Sequence, residues 1–586
     1  MTTHPDLKSE QAYIDHAYDC LEAARGAAAK LESMVEVGRG GTEQARFERD
    51  VIWDTMLHRL KELDLGDASL VFGRIDTAAH GRPSDAWYIG RVAVSDSERD
   101  VVVVDWRAPV AEPFYRATGR EPMGLVRRRH FATRGRRLLG IEDELFGEAI
   151  ALLAGGDGAG DGDRTGRITG HGALIAALET TRTGHLSDIV ATIQGEQDEI
   201  IRSELPGILV VQGGPGTGKT VVALHRAAYL LYTHRFPLEG QGVLVIGPNR
   251  LFLGYIEQVL PSLGEAGVEL AVLADLLTET PALRGYDAAT TARIKGDRRM
   301  VEVLAKAVRD RRRPLSDDFE IGFGVQVLRV TAERTGRIVA DARRRARTHN
   351  GARKFVEAGF FEALVASAHH EVELADVGDR LRSDPRVREA FERMWPVLTP
   401  AQFLNDLYGS KALLRLAAGS RLSPEEIDAL HRPRAANGAE PVFTNDDVPL
   451  LDEARWLLGS RPRRKVNGQP TGDDDARTYG HIIVDEAQDL SPMQLRMLGR
   501  RSLNGSMTIV GDIAQATGAW AHANWEEILE RLPTERRAPR RAELTIGYRI
   551  PSPNMDLAAR VLAYAAPDLQ PPSSVRQDGP PPRFVR

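Results

Sequence analysis

Cysteine is almost absent, Cys20 being the only one in 586 residues. An internal disulfide is therefore excluded, and so is any zinc site built on cysteine ligands. Long apolar runs are missing too, since none reaches the roughly 20 residues that a membrane-crossing helix needs. The opening MTTHPDLKSE carries no basic stretch followed by an apolar one, so no secretory signal is expected. The expected setting is cytoplasmic, with no membrane partner. Nor is there a large excess of charge: 77 Lys and Arg against 83 Asp and Glu leave a net −6. That balance argues against a surface coated in positive charge for nucleic acid, although local patches stay open. What is present is the composition of a globular protein, 42% hydrophobic and 27% charged, with length for roughly three or four domains.

The most informative stretch is LVVQGGPGTGKTVVALHRAAYLL at 209–231. Leu209 to Val211 form an apolar run suited to a buried parallel strand, and Val221, Val222, Leu224, Ala227, Ala228 and Leu231 then recur at helical spacing. Between them Gly213, Gly214, Pro215, Gly216, Thr217, Gly218, Lys219 and Thr220 have the spacing of a P-loop. Its glycines let backbone N–H groups curl around phosphate oxygens at a helix N-terminus. Lys219 is placed to reach the β- and γ-phosphates, and the Thr220 hydroxyl to ligate Mg²⁺. A nucleoside triphosphate is the expected ligand.

HIIVDEAQDL (481–490) reads as a second buried strand ending in a carboxylate pair. Asp485, at the strand's carboxyl end, suits a Mg²⁺ held through water, and Glu486 suits a general base for the attacking water. Helix capping is the plainer role for acidic residues at a strand end, but it is weak beside a second P-loop element. A third strand, MTIVGDIAQAT (507–517), ends in Gly511, Asp512 and Gln515. A glutamine there can sense the γ-phosphate and report hydrolysis across a cleft.

Residues 9–65 read as two helices around GRGG (38–41). In the first, Tyr13, Ala17, Cys20, Ala24, Ala27, Leu31 and Met34 step alternately by four and three, a heptad seam. In the second, Phe47, Val51, Met56, Leu60 and Leu63 fall broadly on one side. An alanine-rich seam offers little to a wide core, so a projecting antiparallel hairpin is expected; two helices of a larger bundle fit the pattern nearly as well. LVFGRID, AWYIGRVAV, DVVVVDWRAP and EPFYRAT then mark a β-rich module, and GGDGAGDGD (155–163) a linker. Between about 266 and 475 lies a mainly helical block. Its 291–350 segment carries 16 Lys or Arg against 8 Asp or Glu, including RDRRR and ARRRAR. Such runs are ordinarily solvated helix faces, with a polyanion contact as the sharper alternative. NDD (445–447) and GDDD (472–475) are the acidic loops of the same block.

Taken together, these pieces resemble a superfamily 1 helicase motor of the UvrD/Rep type. GEQDEIIR matches the Q motif, GGPGTGKT motif I, VLVIGPN motif Ia, VDEAQD motif II, VGDIAQAT motif III and TIGYRIP motif IV. The resemblance implies ATP and Mg²⁺ as ligands, with Gln197 on the adenine edge, Tyr548 stacked on the base and Arg549 at the γ-phosphate. UvrD-type helicases usually place the Q motif near the N-terminus, whereas almost 200 residues precede it in this chain. That leader, with VVVVDWRAPVAEPFYRAT, and the stretches at 243–265 and 394–404 are similar to the HelD family of RNA polymerase-associated ATPases. In that family a coiled-coil arm enters the secondary channel of RNA polymerase, and an insertion in the first RecA-like domain reaches the primary channel in place of nucleic acid. ATP turnover is tied to release. The alternative is a helicase that translocates on and unwinds DNA, with a direct DNA contact. A third reading, a binding protein with a dead ATPase, runs against the intact Lys219, Asp485 and Glu486.

The expected architecture is α/β: a P-loop RecA-like parallel sheet domain with an N-terminal helical hairpin, a small β module and a large helical insertion. The expected units are an arm at 1–65, a β module and linker at 66–184, RecA-like segments at 185–265 and 476–545, the insertion at 266–475, and at 546–586 the start of a second RecA-like domain. About 40 residues follow motif IV. The chain is therefore expected to be a shortened version of a longer protein, with that second domain mostly missing. Slow hydrolysis is expected for want of its arginine, and so is a poorly packed tail.

Overall fold

The first helix, α1 (Leu7–Glu36), buries Glu10, Ile14, Ala17 and Leu21 along its described face. Steps of four, three and four place these on one stripe. The stripe meets the expected seam only at Ala17; Tyr13 and Cys20 are half-buried beside it and Ala27 is exposed. What the stripe covers is a sheet. The computed structural model describes residues 4–36, 69–146 and 196–583, save for short stretches of which 260–267 and 471–475 are the longest. The expected second helix of the hairpin, the GGDGAGDGD segment and the GDDD loop lie outside the described residues.

The sheet under α1 comprises β1 (Val71–Ala79), β2 (Arg82–Gly90), β3 (Val94–Ser95), β4 (Val101–Asp105), β5 (Leu125–Arg134) and β6 (Arg137–Leu145). Their order is β3-β4-β2-β1-β5-β6, antiparallel except between β2 and β4. Successive side chains point to opposite faces: Val71 packs with Ile14, Leu21 and Phe131 under α1, while Phe72 packs with Ile89, Phe114 and Leu125 on the other side. The Tyr13 ring stacks on Tyr88 and its hydroxyl donates to the Val102 carbonyl at 3.0 Å. Arg129, almost fully buried, pairs with Asp143 at 2.6 Å, Asp6 at 2.7 Å and the buried Glu10. A buried charge is tolerated when so fully paired. The first half of α1 is thus part of this module's core.

The motor begins with β7 (Ile208–Gly213), α2 (Lys219–Thr233), β8 (Val243–Ile246) and β9 (Val268–Ala271). The helical block follows, containing the hairpin β10 (Phe319–Phe323) and β11 (Gln326–Val330), the helix α3 (Val448–Leu458), and the short pair β12 (Lys465–Val466) and β13 (Gln469–Pro470). The chain then returns through β14 (His481–Val484), α4 (Pro492–Arg501), β15 (Met507–Gly511), β16 (Arg540–Leu544), β17 (Ile546–Gly547), α5 (Ser552–Ala565) and β18 (Ser573–Ser574). Six of these strands form one parallel sheet in the order β16-β7-β15-β14-β8-β9. Both faces are covered, which is why β8 and β14 are buried throughout.

The stretch 266–475 is divided in its packing. The helices Arg299–Asp310, Pro400–Tyr408, Lys411–Ala418 and α3 share one core with the parallel sheet, where Met300, Leu407 and Leu450 meet Leu244, Ile482 and Ile509. Residues between about 315 and 395 instead form a separate core around Leu328, Phe360, Phe391 and Trp395. The joint between the two is keyed. The Trp395 indole donates to the His349 carbonyl at 2.8 Å, the Asn350 amide donates to the carbonyls of Leu398 and Gly459 at 3.0 Å, and Arg312 lies over the Trp395 ring.

The NDD loop points inward. Asp447 is fully buried and pairs with Lys295 at 2.7 Å and Arg432 at 3.2 Å, while Asp446 accepts the Asp287 N–H at 2.8 Å. Burial opposes ionisation of Asp447, but the two cations outweigh it and hold its carboxyl below the usual range. Of the basic runs, Arg344 and Arg345 share Asp341 and Arg337 pairs with Glu333 one turn away, as solvated helix faces do. The tail is mixed. Among its described residues α5 buries only Met555 and leaves Tyr564 94% exposed, whereas Val575 is buried and β18 pairs with β17. Among the described residues no helix is long and apolar enough to cross a membrane.

Candidate nucleotide-binding site

A parallel sheet sends the carboxyl ends of all its strands to one edge, where ligands of α/β proteins bind. The P-loop follows β7, the carboxylate pair follows β14, and Asp512 follows β15. Gly216 and Gly218 adopt φ of +76° and +87°, a region that favours glycine. Crowding reinforces that choice. A Cβ on Gly218 would stand 2.4 Å from the Tyr548 hydroxyl oxygen, and one on Gly216 would stand 2.9 Å from the Arg549 Cβ. Motif IV therefore lies directly against the phosphate loop, with the Tyr548 N–H donating to the Gly216 carbonyl at 3.2 Å.

Lys219 opens α2 and its ammonium donates to the Gly214 carbonyl at 3.2 Å. The next residue, Thr220, donates its hydroxyl to Asp485 Oδ2 at 2.7 Å. These two oxygens, from elements 265 residues apart, are the donor set the sequence proposes for Mg²⁺, and a hard cation takes just such hydroxyl and carboxylate ligands. Burial, only partly offset by the Thr220 hydrogen bond, pushes the Asp485 carboxyl up to about 6. A cation here would supply the charge that the buried carboxylate lacks.

Glu486 occupies the left-handed region at φ +52°, unusual for a residue with a side chain. Its carboxylate is held by Gln488, whose amide donates to Glu486 Oε2 at 2.7 Å and whose oxygen accepts the Asp512 N–H at 3.1 Å. Asp512 in turn accepts from Gln515 Nε2 at 2.5 Å and Gln212 Nε2 at 2.8 Å. The Gln212 oxygen accepts the Trp525 indole N–H at 2.8 Å. Hydrogen bonds thus connect the general-base candidate to the γ-phosphate-sensor candidate through two residues.

On the other side of the loop, Gln197 sits on a helical segment at 196–202. Its amide nitrogen is buried and lacks a hydrogen-bond partner among the described residues, a vacancy suited to a base edge. Tyr548 is half-buried, which raises its hydroxyl pKa. Arg549 is exposed and forms no ion pair among the described residues. Every residue proposed from sequence is therefore gathered at this one edge. Sequence reasoning missed Gln488, Gln212 and Arg226. Arg226 did leave a signal, as the one charge in the otherwise apolar row Val222, Arg226, Leu230 of α2.

Comparison with protein-family models matches residues 7–159 to the N-terminal domain of DNA helicase IV HelD and residues 468–534 to the UvrD/REP helicase N-terminal domain. A search of curated proteins found no match. The first match spans α1 and the β module, and the second contains Asp485, Glu486 and Gln515, which follow β14 and β15 of the sheet that carries the P-loop. A HelD-type N-terminal match followed by a UvrD-type match on one chain supports a HelD-type member of the superfamily 1 helicases.

Proposed function

We propose that this chain is an ATP-hydrolysing factor that binds RNA polymerase through its N-terminal arm and the insertion in its RecA-like domain, clears nucleic acid from the enzyme and recycles it. The observation that carries this reading is a direct structural path from the candidate nucleotide site to the separately packed body at about 315–395. Helix α4 follows the DEAQD turn, and its Arg496, Arg500 and Arg501 pair with Glu453 and Asp452 of α3. The carbonyl of Gly459, just past the end of α3, accepts from Asn350 of that body. A change in the loop around Asp485 has rigid elements through which to move that body.

Within the site, Lys219 and the backbone N–H groups of 214–220 hold the phosphates, and Gln197 and Tyr548 hold the base. Thr220 and Asp485 would hold Mg²⁺, which neutralises phosphate charge when bound. Glu486, aimed by Gln488, takes the proton from the attacking water. Gln515 monitors the γ-phosphate, and Arg549 offers it an exposed guanidinium.

Affinity capture of the tagged chain from lysate, with and without ATP, tests the proposal. Recovery of the RNA polymerase core subunits, reduced by ATP, is expected. The description of the N-terminal match as a DNA helicase favours a second reading, a motor that translocates on DNA. Strong stimulation of ATP hydrolysis by DNA, with no polymerase recovered, would decide for that reading.

A further inference from the structure

Arg226 lies on α2 about two turns beyond Lys219 and is completely buried. Among the described residues no carboxylate pairs with it. Its guanidinium instead donates to five neutral oxygens: Thr508 Oγ1 at 2.9 Å and the carbonyls of Ile200 at 3.0 Å, Ile201 at 3.0 Å, Ser203 at 2.6 Å and Glu204 at 2.9 Å. A buried cation without a counter-ion is a poor way to stabilise a core, where an apolar side chain of similar length would serve better. The identity of its acceptors explains its presence. The carbonyls lie at and just past the end of the helical segment 196–202, where backbone oxygens lack partners inside the helix. A cation at that end is also favoured by the aligned peptide dipoles.

The anchor extends further. Thr508 faces His481 Nε2 at 3.0 Å, His481 Nδ1 faces Ser506 Oγ at 2.7 Å, and the Ser506 hydroxyl donates to the Leu205 carbonyl. One direction of donation, from Arg226 to Leu205, satisfies every group and requires a neutral His481. Burial and the adjacent Arg226 keep that imidazole neutral. At the opposite end of the segment, Glu196 accepts the N–H and hydroxyl of Thr545, three residues before Tyr548.

We propose that Arg226 is a positioning residue that sets Gln197 against the P-loop and thereby sets the preference for adenine over guanine nucleotides. The proposal rests on the reading of 213–220 as a nucleotide site with Gln197 as its base reader. Because Arg226 belongs to the same helix as Lys219 and Thr220, its five bonds lock the base-reading segment to the phosphate-binding helix as one unit. An amide that must meet both the donor and the acceptor of an adenine edge tolerates only small displacement.

The test compares Arg226→Gln, Arg226→Lys, Gln197→Ala and the double variant Arg226→Lys/Gln197→Ala in the full 586-residue chain. The readouts are the Kd values of fluorescent ATP and GTP analogues. Lysine keeps the charge but lacks the planar fork. Both Arg226 variants should lose affinity for the ATP analogue on the order of tenfold, with GTP-analogue affinity nearly unchanged. The double variant should lose no more than Gln197→Ala alone, because both act through one contact. Should Arg226→Gln not fold, Arg226→Lys and Thr508→Val carry the comparison. Equal weakening of both analogues, or an additive double variant, would overturn the proposal. A parent chain that binds neither analogue, or does not prefer ATP, would instead fail the underlying reading of the site.

Discussion

Lys219 is the side-chain cation of the candidate phosphate loop, and its ammonium donates to the loop's own Gly214 carbonyl. Replacing it with alanine removes a charge aimed at the point where negative charge builds up during phosphoryl transfer. Hydrolysis should fall on the order of 100-fold or more, with weaker ATP binding. Phosphate release measured on purified Lys219→Ala against the parent protein checks this, and undiminished turnover would place the site elsewhere. The same scale shows how little a charge's sign says about its role. Asp447 and Asp485 are both buried aspartates in acidic loops. The first is held ionised by two cations, whereas burial lifts the second to about 6 despite the Thr220 hydrogen bond.

At the scale of elements, the described part of α1 belongs to the β module. Its first half supplies Ile14, Ala17 and Leu21 to the β module, and the Tyr18 hydroxyl accepts the Leu70 N–H at 2.8 Å. Chain removal from the N-terminus therefore cannot separate docking from folding. Ala27 lies about 14 Å along the helix from Tyr18, so a flexible linker of about six residues can join it to Gly66. A variant with residues 28–65 replaced by such a linker should keep its melting temperature and ATP affinity while losing polymerase capture. Deleting residues 7–27 should instead unfold the module, since losing one buried Ile or Leu already costs roughly 2–5 kcal/mol. Polymerase recovery undiminished by the linker variant would remove the arm from the docking account.

For the molecule as a whole, buried neutral histidines govern the response to mild acid. Burial holds His130 and His481 well below the usual histidine range and pushes His349 down to about 4. The unfolded chain takes up these protons below a pH of about 6.5 while the folded chain resists them. Stability should therefore be full above that value and fall as pH drops toward the folded-state values, by up to about 1.4 kcal/mol per pH unit for each histidine. Asp485, raised to about 6, works in the opposite direction, because its deprotonation in the folded state is the disfavoured step. Three groups outweigh one, so the melting temperature should decline between pH 7 and pH 5. A flat or rising profile over that range would refute the assignment.

By itself, the sequence determined the candidate nucleotide site and the parallel sheet that carries it, because those features depend on short-range spacing. A strand followed by a glycine loop and a helix, or by a carboxylate pair, forms locally wherever the chain then packs. The family resemblance could be read for the same reason, from contiguous stretches of at most about two dozen residues. Tertiary structure decided what covers what. Periodicity shows that one side of α1 is apolar, but a helix and a sheet make equally good covers, and only the fold chose the sheet. Composition marks NDD as acidic, but only long-range packing brought Lys295 and Arg432 to bury it. Arg226 looks like a flaw in an apolar row until the fold brings to it the end of the Gln197 segment and, from 282 residues away, Thr508. A side chain's chemistry is local, whereas the partners that give it a role are delivered by the path of the whole chain.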